Sequence, residues 1–397
     1  MDQDYPIRKK HWLGLGILLV TTAGVLSAAS EHTIEAKRLP DHTLLIPVRI
    51  NDTEAFWCSF DTGGSRTLAL DAAVAAKAGL RANGSGRSAG EGPNVVTDQR
   101  LSGATLSVGD LRIPDRTVVI RDLGSGATSD CIFGGAILES FVVEVDYQAP
   151  AFRVFDPSAF QPAPQAIGVP VTFEYGNPMV SARIVLQPGQ TVDAKLLVDT
   201  AVGQWPLAIN KRFADGQDLL TRVRKTVEPP FQAAATGGSI GLLAARADSL
   251  TIAGFMVPGP VMMLFRAESG TVLPWDGNLG SEFLRRFVLT IDYPGQHLFL
   301  ERNAEFDGPP SPYDGSGAWI RGVPGNFTVA RVLPDSPAAK AELEAGDVVL
   351  AMDGTPASDL TILQIHSKLY RSSGNCTLLV RRRGTQFSAT LDLRAYL

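Results

Sequence analysis

The chain has 397 residues, of which 45% are hydrophobic and 19% are charged, and its formal net charge is −5. This composition excludes an intrinsically disordered chain and a nucleic-acid-binding protein with a basic surface, and the length predicts two or three domains. Glycine (39) and proline (26) residues interrupt short runs of Val, Ile, Leu and Phe, which favours a mainly β structure.

The first thirty residues have the pattern of an export segment. A basic cluster at residues 8–10 precedes an uncharged run over residues 12–30. The small residues at 27–29 fit signal-peptide cleavage after Ala29, but the run is also nearly long enough for an uncleaved membrane anchor. Both alternatives predict a protein exported to a bacterial periplasm or cell envelope, with membrane contact only through residues 1–30.

Two short motifs then occur twice in the same order. An apolar run that ends in Asp-Thr is found at residues 56–62 and again at residues 196–200. A β-like run that ends in proline follows each copy, at residues 106–114 and at residues 250–258. This repetition indicates an internal duplication.

A third motif supports the duplication and has the same internal spacing in both copies. It runs from Asp130 to Tyr147 and from Asp276 to Tyr293, through an apolar-Gly element into a strand that ends in Asp-Tyr. Each copy of such a β unit presents one carboxylate at the end of a buried strand. The duplication therefore predicts two carboxylates that face each other across a pseudo-two-fold axis.

Proline-rich linkers divide the chain. Residues 161–165 separate a first half, residues 31–160, from a second half, residues 161–305. Another linker at residues 307–312 leads into a C-terminal domain at residues 306–397.

The C-terminal domain has α+β patterning. An alternating strand at residues 327–332 is followed by Ser336-Pro337, a serine N-cap with proline at the first helical position. The further predicted elements are a strand at 348–352, an amphipathic helix at 360–370 and closing strands at 376–381 and 387–393.

The paired Asp-Thr loops and apolar-Gly elements resemble the aspartic proteases over about residues 40–300, and the retropepsin-like branch more than the pepsins. The resemblance implies a mainly β, bilobal fold of two duplicated halves. It also implies that Asp61 and Asp199 are catalytic, share one proton and activate a water for peptide-bond hydrolysis, with no metal and no cofactor. The residues implied to support this dyad are Thr62, Gly63, Thr200 and Ala201.

The family also has flap hairpins, which correspond to the glycine-rich loops at residues 84–92 and 236–241. The flap residues implied by this correspondence are Gly90, Gly92, Gly237, Gly238 and Gly241.

The second copy departs from the family pattern at two positions. Its loop reads Asp-Thr-Ala, so Ala201 places a methyl group beside the carboxylate, and Asn278 replaces an apolar residue. A catalytically decayed protein that binds peptides or acts as a scaffold on the same fold therefore remains the alternative to a protease.

The C-terminal domain resembles a PDZ domain of the kind found in bacterial envelope proteases, over about residues 310–397. The resemblance implies a small α+β domain that binds peptide C-termini by adding a strand to its sheet. The residues implied to bind the peptide are Ser316, Gly317, Ala318 and Trp319 in a carboxylate-binding loop, with His366 on the groove helix.

Cys58 and Cys131 precede, by three residues each, two elements that lie side by side in the aspartic protease fold. The resemblance therefore predicts that the two cysteines are neighbours, which allows a disulfide in an exported protein. Three buried free thiols are the alternative.

A competing hydrolase motif is present. Residues 237–241 match Gly-x-Ser-x-Gly, and Asp292 and His297 follow in the order of a serine hydrolase. The poor strand before Ser239 and the β-rich repeat argue against this reading. The sequence has no zinc-type or phosphate-binding motif.

Overall fold

The structure is a computed structural model. The residues that it describes are 31–64, 67–124, 127–203, 205–229, 231–309, 313, 315–371, 373–394 and 397. The predicted export segment lies outside them. None of the helices in these ranges is both long enough and apolar enough to cross a membrane.

In the first half, short strands alternate with turns and two short helices are described. The strands are β1 Glu31–Glu35, β2 Lys37–Arg38, β3 Leu44–Ile50, β4 Phe56–Asp61, β5 Leu68–Asp71, β6 Gly84–Ser88, β7 Val96–Val108, β8 Leu111–Arg121, β9 Cys131–Gly134, β10 Val142–Asp146 and β11 Ala151–Phe155. The helices are α1 Ala72–Lys77 and α2 Gly135–Leu138. The main sheet of this half has the order β2-β3-β4-β9-β5-β8-β7-β6.

The second half repeats this plan. Its strands are β12 Ile167–Pro170, β13 Thr172–Glu174, β14 Asn177–Gln187, β15 Gln190–Val198, β16 Leu207–Ile209, β17 Thr226–Val227, β18 Ala233–Ala235, β19 Gly238–Ile240, β20 Leu242–Arg246, β21 Ser249–Ile252, β22 Phe255–Pro258, β23 Val261–Phe265, β24 Gly277–Leu279, β25 Phe287–Asp292 and β26 His297–Arg302. The helices are α3 Lys211–Gly216, α4 Leu219–Arg222 and α5 Ser281–Leu284. The main sheet has the order β17-β20-β23-β16-β24-β15-β14-β21-β22, with β13 beside β14.

An interlobe sheet joins the halves, in the order β1-β11-β10-β25-β26-β12. Its central strands, β10 and β25, are the repeated strands that end in Asp-Tyr. They pair antiparallel, with Val142 opposite Asp292 and Asp146 opposite Val288, as expected for equivalent strands that meet at a pseudo-two-fold axis. The predicted mainly β, bilobal fold of two duplicated halves is confirmed.

Parallel strand pairs carry the two Asp-Thr loops to the centre of the molecule. The apolar strand β4 pairs with β9, so that Asp61 lies opposite Gly134. In the second half β15 pairs with β24 in the same way, and Val198 lies opposite Leu279. Because both strand pairs are buried, the loops that follow them have fixed positions.

The predicted disulfide between Cys58 and Cys131 is present and joins the neighbouring strands β4 and β9. It anchors the strand that ends at Asp61 to the apolar-Gly strand beside it. The third cysteine, Cys376, is a buried free thiol in the C-terminal domain.

The C-terminal domain is the predicted small α+β unit with its own core. Its strands are β27 Ala318–Val323, β28 Asn326–Val332, β29 Val348–Met352, β30 Thr355–Pro356, β31 Ser373–Arg382 and β32 Thr385–Arg394, and its helices are α6 Pro337–Lys340 and α7 Ile362–Leu369, with a 3₁₀ turn at Ala357–Asp359. Strand β27 forms one edge of the sheet order β27-β28-β29-β31-β32 and contacts α7.

Local capping explains both helices of this domain. The Ser336 hydroxyl accepts a hydrogen bond from the backbone N–H of Ala339, with Pro337 at the first helical position, as predicted. Helix α7 begins with a capping box between Thr361 and Gln364.

A buried arginine holds the linker that leads into the C-terminal domain. The Arg286 side chain is fully buried. Its guanidinium donates to the carbonyl oxygens of Phe306 at 3.0 Å and Pro309 at 2.8 Å, and also to the Glu282 carboxylate at 3.2 Å. The guanidinium has several donors, and these hold residues 306–309 against the second half.

Candidate active site

The structure brings the two predicted aspartates together at the centre of the interlobe region. The Asp61 and Asp199 carboxyl groups are buried and lie close enough for each to shift the pKa of the other. The first loop approaches the second so closely that a Cβ atom on Gly63 would lie 2.6 Å from Cγ of Asp199. Only glycine fits at position 63 without displacing a carboxylate.

Thr62 and Thr200 bind each other's loop symmetrically. The backbone N–H of Thr62 donates to Oγ1 of Thr200 at 3.1 Å, and the N–H of Thr200 donates to Oγ1 of Thr62 at 3.2 Å. Each hydroxyl then donates to a carbonyl oxygen across the dyad, Thr62 to Val198 at 2.6 Å and Thr200 to Phe60 at 2.7 Å. All four bonds are buried, so they fix the separation of the two aspartates.

The two carboxyls accept different sets of hydrogen bonds. Oδ1 of Asp199 accepts from the N–H of Ala201 at 2.9 Å, and its Oδ2 accepts from the Asn278 side chain at 2.7 Å. Oδ1 of Asp61 accepts from the N–H of Gly64 at 2.8 Å. Donors stabilise the charged form of a carboxyl, so this arrangement favours an ionised Asp199 and a protonated Asp61.

The electrostatic environment also favours an ionised Asp199 and a protonated Asp61. Burial raises the pKa of Asp61 well above its ordinary value, and the neighbouring charge of Asp199 raises it further. Burial also raises the pKa of Asp199, but the donors Ala201 and Asn278 oppose this rise. Two buried carboxyls in contact cannot both be ionised, so the pair retains one proton.

Ala201 and Asn278, the two departures from the family pattern, are thus both hydrogen-bond donors to Asp199. Sequence reasoning recognised the positions but not the role of Asn278, because its partner is 79 residues away in the chain. The apolar-Gly strand that carries Asn278 lies parallel to the strand before Asp199, which explains how the amide reaches the carboxylate.

The tips of the two glycine-rich loops meet above the dyad. The N–H of Gly92 donates to the carbonyl of Thr236 at 3.0 Å, and the N–H of Asn94 donates to the carbonyl of Gly237 at 3.1 Å. A Cβ atom on Gly92 would lie 2.5 Å from the carbonyl carbon of Gly237, and one on Gly90 would lie 2.8 Å from Cβ of Thr236. These glycines allow the close approach of the two tips.

The remaining two flap glycines differ in position. Gly238 begins strand β19 at the tip and has a positive φ of 123°, which favours glycine. Gly241 lies at the base of the flap, where a Cβ atom would make only ordinary contacts with Arg266 at 3.8 Å.

Glu91 is a functional candidate that the sequence analysis missed. Glu91 lies at the tip of the first flap. Its carboxyl reaches the side chain of Asn278 and interacts with the charge of Asp199. Burial and, to a smaller extent, the charge of Asp199 together raise the pKa of Glu91 to about 8. Within the described residues, Oε1 of Glu91 and Oδ1 of Asn278 are buried without a hydrogen-bond partner. The only sequence signal was an acidic residue in a glycine-rich loop.

The dyad opens into a cavity of about 950 Å³ between the halves. Its wall includes both aspartates, Glu91 and Ala201, and it extends to the C-terminal domain. The residues of that domain on its wall are Trp319, Leu363 and Tyr370.

Of the predicted peptide-binding residues, Ser316 and Gly317 precede β27, Ala318 and Trp319 begin that strand, and His366 lies on α7. Two N–H groups of the predicted loop already have partners. The N–H of Gly315 donates to the carbonyl of Leu369 at 2.9 Å, and the N–H of Ala318 donates to Oγ of Ser316 at 3.0 Å. A Cβ atom on Gly317 would collide with the Ser336 side chain, so this position cannot be substituted without disturbing the α6 cap.

The groove beside this loop is also narrowed by its own residues. Nε2 of His366 lies 2.8 Å from the carbonyl oxygen of Ile320 on the edge strand. The Trp319 ring stacks on His366 with 4.2 Å between ring centroids. Binding of a peptide C-terminus stays a prediction, and it requires the His366 contact to open.

The competing serine-hydrolase arrangement is not formed. Ser239 is exposed on the flap strand β19. Asp292 and His297 lie opposite each other in the interlobe sheet, where His297 Nδ1 contacts the carbonyl of Gly295. The motif at residues 237–241 is therefore a flap tip. Across the described ranges, no group of three or more His, Cys, Asp or Glu residues has a geometry that suits a metal ion.

Comparisons with known proteins agree with this architecture. Residues 46–137 match the family model for aspartyl proteases, and residues 328–382 match the model for PDZ domains. Among the solved structures that match, the aspartic proteinase from Irpex lacteus is 16% identical, with a TM-score of 0.43 over 70% of this chain and 99% of that chain. No curated protein matches the chain at a significant level.

The paired Asp-Thr loops in duplicated β halves define an aspartic-protease fold. The family models support both resemblances inferred from the sequence over the residues that they match, an aspartyl protease region at 46–137 and a C-terminal PDZ domain at 328–382.

Proposed function

We propose that the protein is an aspartic endopeptidase in which Asp61 and Asp199 activate one water molecule for peptide-bond hydrolysis. The observation that carries the proposal is the close approach of the two Asp-Thr loops, held by reciprocal threonine hydrogen bonds. A scaffold protein would have no need of two buried carboxyls that share a proton, because their burial is costly.

The hydrogen bonds assign a role to each aspartate. Asp199, with two donors, is the ionised base that takes a proton from the water as its oxygen bonds to the substrate carbonyl carbon. Asp61 donates its proton to the carbonyl oxygen, which gives a neutral gem-diol. Asp199 then gives its proton to the amide nitrogen while Asp61 takes a proton back from one gem-diol hydroxyl, and cleavage of the C–N bond releases an amine and a carboxylic acid and restores the dyad.

The test is cleavage of a peptide library by wild type, Asp61→Asn and Asp199→Asn. Each substitution removes a proton donor or acceptor, so each is expected to lower the rate by at least roughly 10²–10⁴, and the double variant should be no worse than the single variants. Thermal unfolding serves as the folding control. Full activity in either variant would contradict the dyad. No cleavage by wild type at any pH between about 3 and 9, roughly the range in which carboxyls of raised pKa titrate, would favour the scaffold alternative.

We also propose that the protein is exported to a bacterial periplasm or envelope. The disulfide between Cys58 and Cys131 supports this location, because structural disulfides persist in oxidising compartments. Cell fractionation with N-terminal sequencing tests it, and full-length protein in the cytosolic fraction contradicts it.

A further inference from the structure

The active-site cavity does not end within the protease halves. Its wall continues from the dyad past Trp205, on the loop after Ala201, to Phe231, and then onto the C-terminal domain. We define the aromatic seam as the residues on this distal wall: Trp205, Phe231, Trp319, Leu363 and Tyr370.

The rings of the seam pack against each other across the domain boundary. Phe231 lies 4.8 Å from Trp319 and stacks on Trp205 at 5.7 Å, measured between ring centroids. Trp205 also meets Tyr370 edge-on at 5.6 Å. Two residues from the second half and three from the C-terminal domain thus form one apolar wall, and no charged side chain belongs to it.

Several contacts hold the seam together. Arg286 fixes the linker to the second half, as described above. At the edge of the seam, Arg331 of β28 contacts Glu228 and the carbonyl of Pro229, both at 3.4 Å. The C-terminal domain is therefore held by the contacts of Arg286 and Arg331 in addition to the aromatic wall.

We propose that the aromatic seam is a substrate subsite that takes an aromatic or long aliphatic side chain of the peptide being cleaved. The proposal rests on the proposed function, since the occupant is an extended substrate that leaves the dyad along the continuous cavity. An apolar pocket walled by tryptophan, tyrosine and phenylalanine binds such side chains through burial and ring packing. The PDZ domain then contributes to cleavage specificity with Trp319, rather than with the groove that His366 narrows.

The test uses the intact protein and a series of peptides with one fixed cleavage site, selected from the library above. In each peptide a single Phe replaces Ala at successive positions on either side of the site. Wild type is expected to show one distal position at which Phe raises kcat/KM by about tenfold or more, chiefly through KM, as expected for burying one such side chain. Trp319→Ala should abolish that gain, so that the Phe peptide and the all-Ala peptide are cleaved with equal kcat/KM.

Val323→Ala is the matched control, because Val323 lies on the same strand, is 54% exposed and is not on the cavity wall. Leu363→Ala is a second test of the seam that leaves the ring contacts of Trp319 in place. If Trp319→Ala alters all peptides equally, Trp319 only holds the domains together and the proposal is wrong. It is equally wrong if no distal position prefers Phe.

Binding measurements separate this proposal from the proposed function. Asp61→Asn, which is expected not to turn over substrate, is titrated with the best Phe peptide and its all-Ala counterpart. The subsite predicts about tenfold tighter binding of the Phe peptide, lost when Trp319→Ala is added. Equal affinities contradict the subsite even if the enzyme is active, and unequal affinities support it even if cleavage is never observed.

Discussion

The Asn278 side chain donates a 2.7 Å hydrogen bond to Oδ2 of Asp199, so a residue that departs from the apolar family pattern holds one member of the dyad. An apolar residue at this position would leave that carboxylate oxygen without the donor. Asn278 therefore stabilises the charged form of Asp199.

Asn278→Leu is expected to raise the pKa of Asp199 and to move the acid limb of kcat/KM to higher pH. A hydrogen bond to a charged group contributes about 1.5–3 kcal/mol, which corresponds to about one to two pH units. The measurement is a pH–rate profile. Asn210→Leu is the matched control, since Asn210 is a buried amide whose partner is the carbonyl of Trp275; a similar shift in that variant would remove the specific role of Asn278.

Glu91→Gln is expected to change the pH dependence of stability. The folded state raises the pKa of Glu91 from 4.5 to about 8, so it binds a proton that the unfolded chain has already released. Wild type should therefore lose stability relative to Glu91→Gln as the pH rises from about 4.5 to about 8, with no further change on either side. Thermal unfolding at a series of pH values measures this, and a constant difference between the two proteins would show that Glu91 is solvated.

Positions 63 and 201 are equivalent in the two copies but should respond oppositely to substitution. Gly63→Ala places a Cβ atom 2.6 Å from Cγ of Asp199 and is expected to lower kcat at least about 10²-fold by displacing the dyad. Ala201→Gly keeps the N–H that binds Asp199 and should leave activity unchanged or raise it. Initial rates of the folded variants test the pair. A large loss in Ala201→Gly would mean that the methyl group itself supports the site.

Loss of the disulfide is expected to destabilise the first half. The bond closes a loop with a sequence separation of 73 residues, and its removal by Cys58→Ser with Cys131→Ser should cost about 4 kcal/mol in the chain-entropy model. Denaturant unfolding measures the cost, and Cys376→Ser provides a comparison in which no disulfide is lost. Free thiols at both positions in the wild-type protein, found by non-reducing mass spectrometry, would contradict the prediction.

The sequence predicted those parts of the molecule in which the same short pattern recurs. The repeated strands that end at Tyr147 and Tyr293 pair with each other because a duplicated unit places equivalent strands at its axis. The two Asp-Thr loops meet for the same reason. These features depend on buried strands with strong local preferences, so the sequence alone predicts them.

Contacts between loop tips and between domains were not predicted. Glu91 reaches Asn278 because the flap folds over the dyad, and Phe231 contacts Trp319 across the boundary between two domains. Neither of these two contacts can be predicted from the periodicity of the sequence or from the spacing of its motifs. The narrowing of the PDZ groove by His366 likewise depends on one side-chain rotamer.

The interlobe sheet has a consequence for the autonomy of the two halves. Separating them would break the β10–β25 pairing and leave each with an unpaired, Val- and Ile-rich edge strand of the kind that promotes aggregation. A chain nicked in the 161–165 linker should therefore remain associated without a covalent bond. Two separately produced fragments are expected to be insoluble alone and to form a native complex when refolded together. The interlobe sheet therefore suits the chain to use as a split-protein reporter.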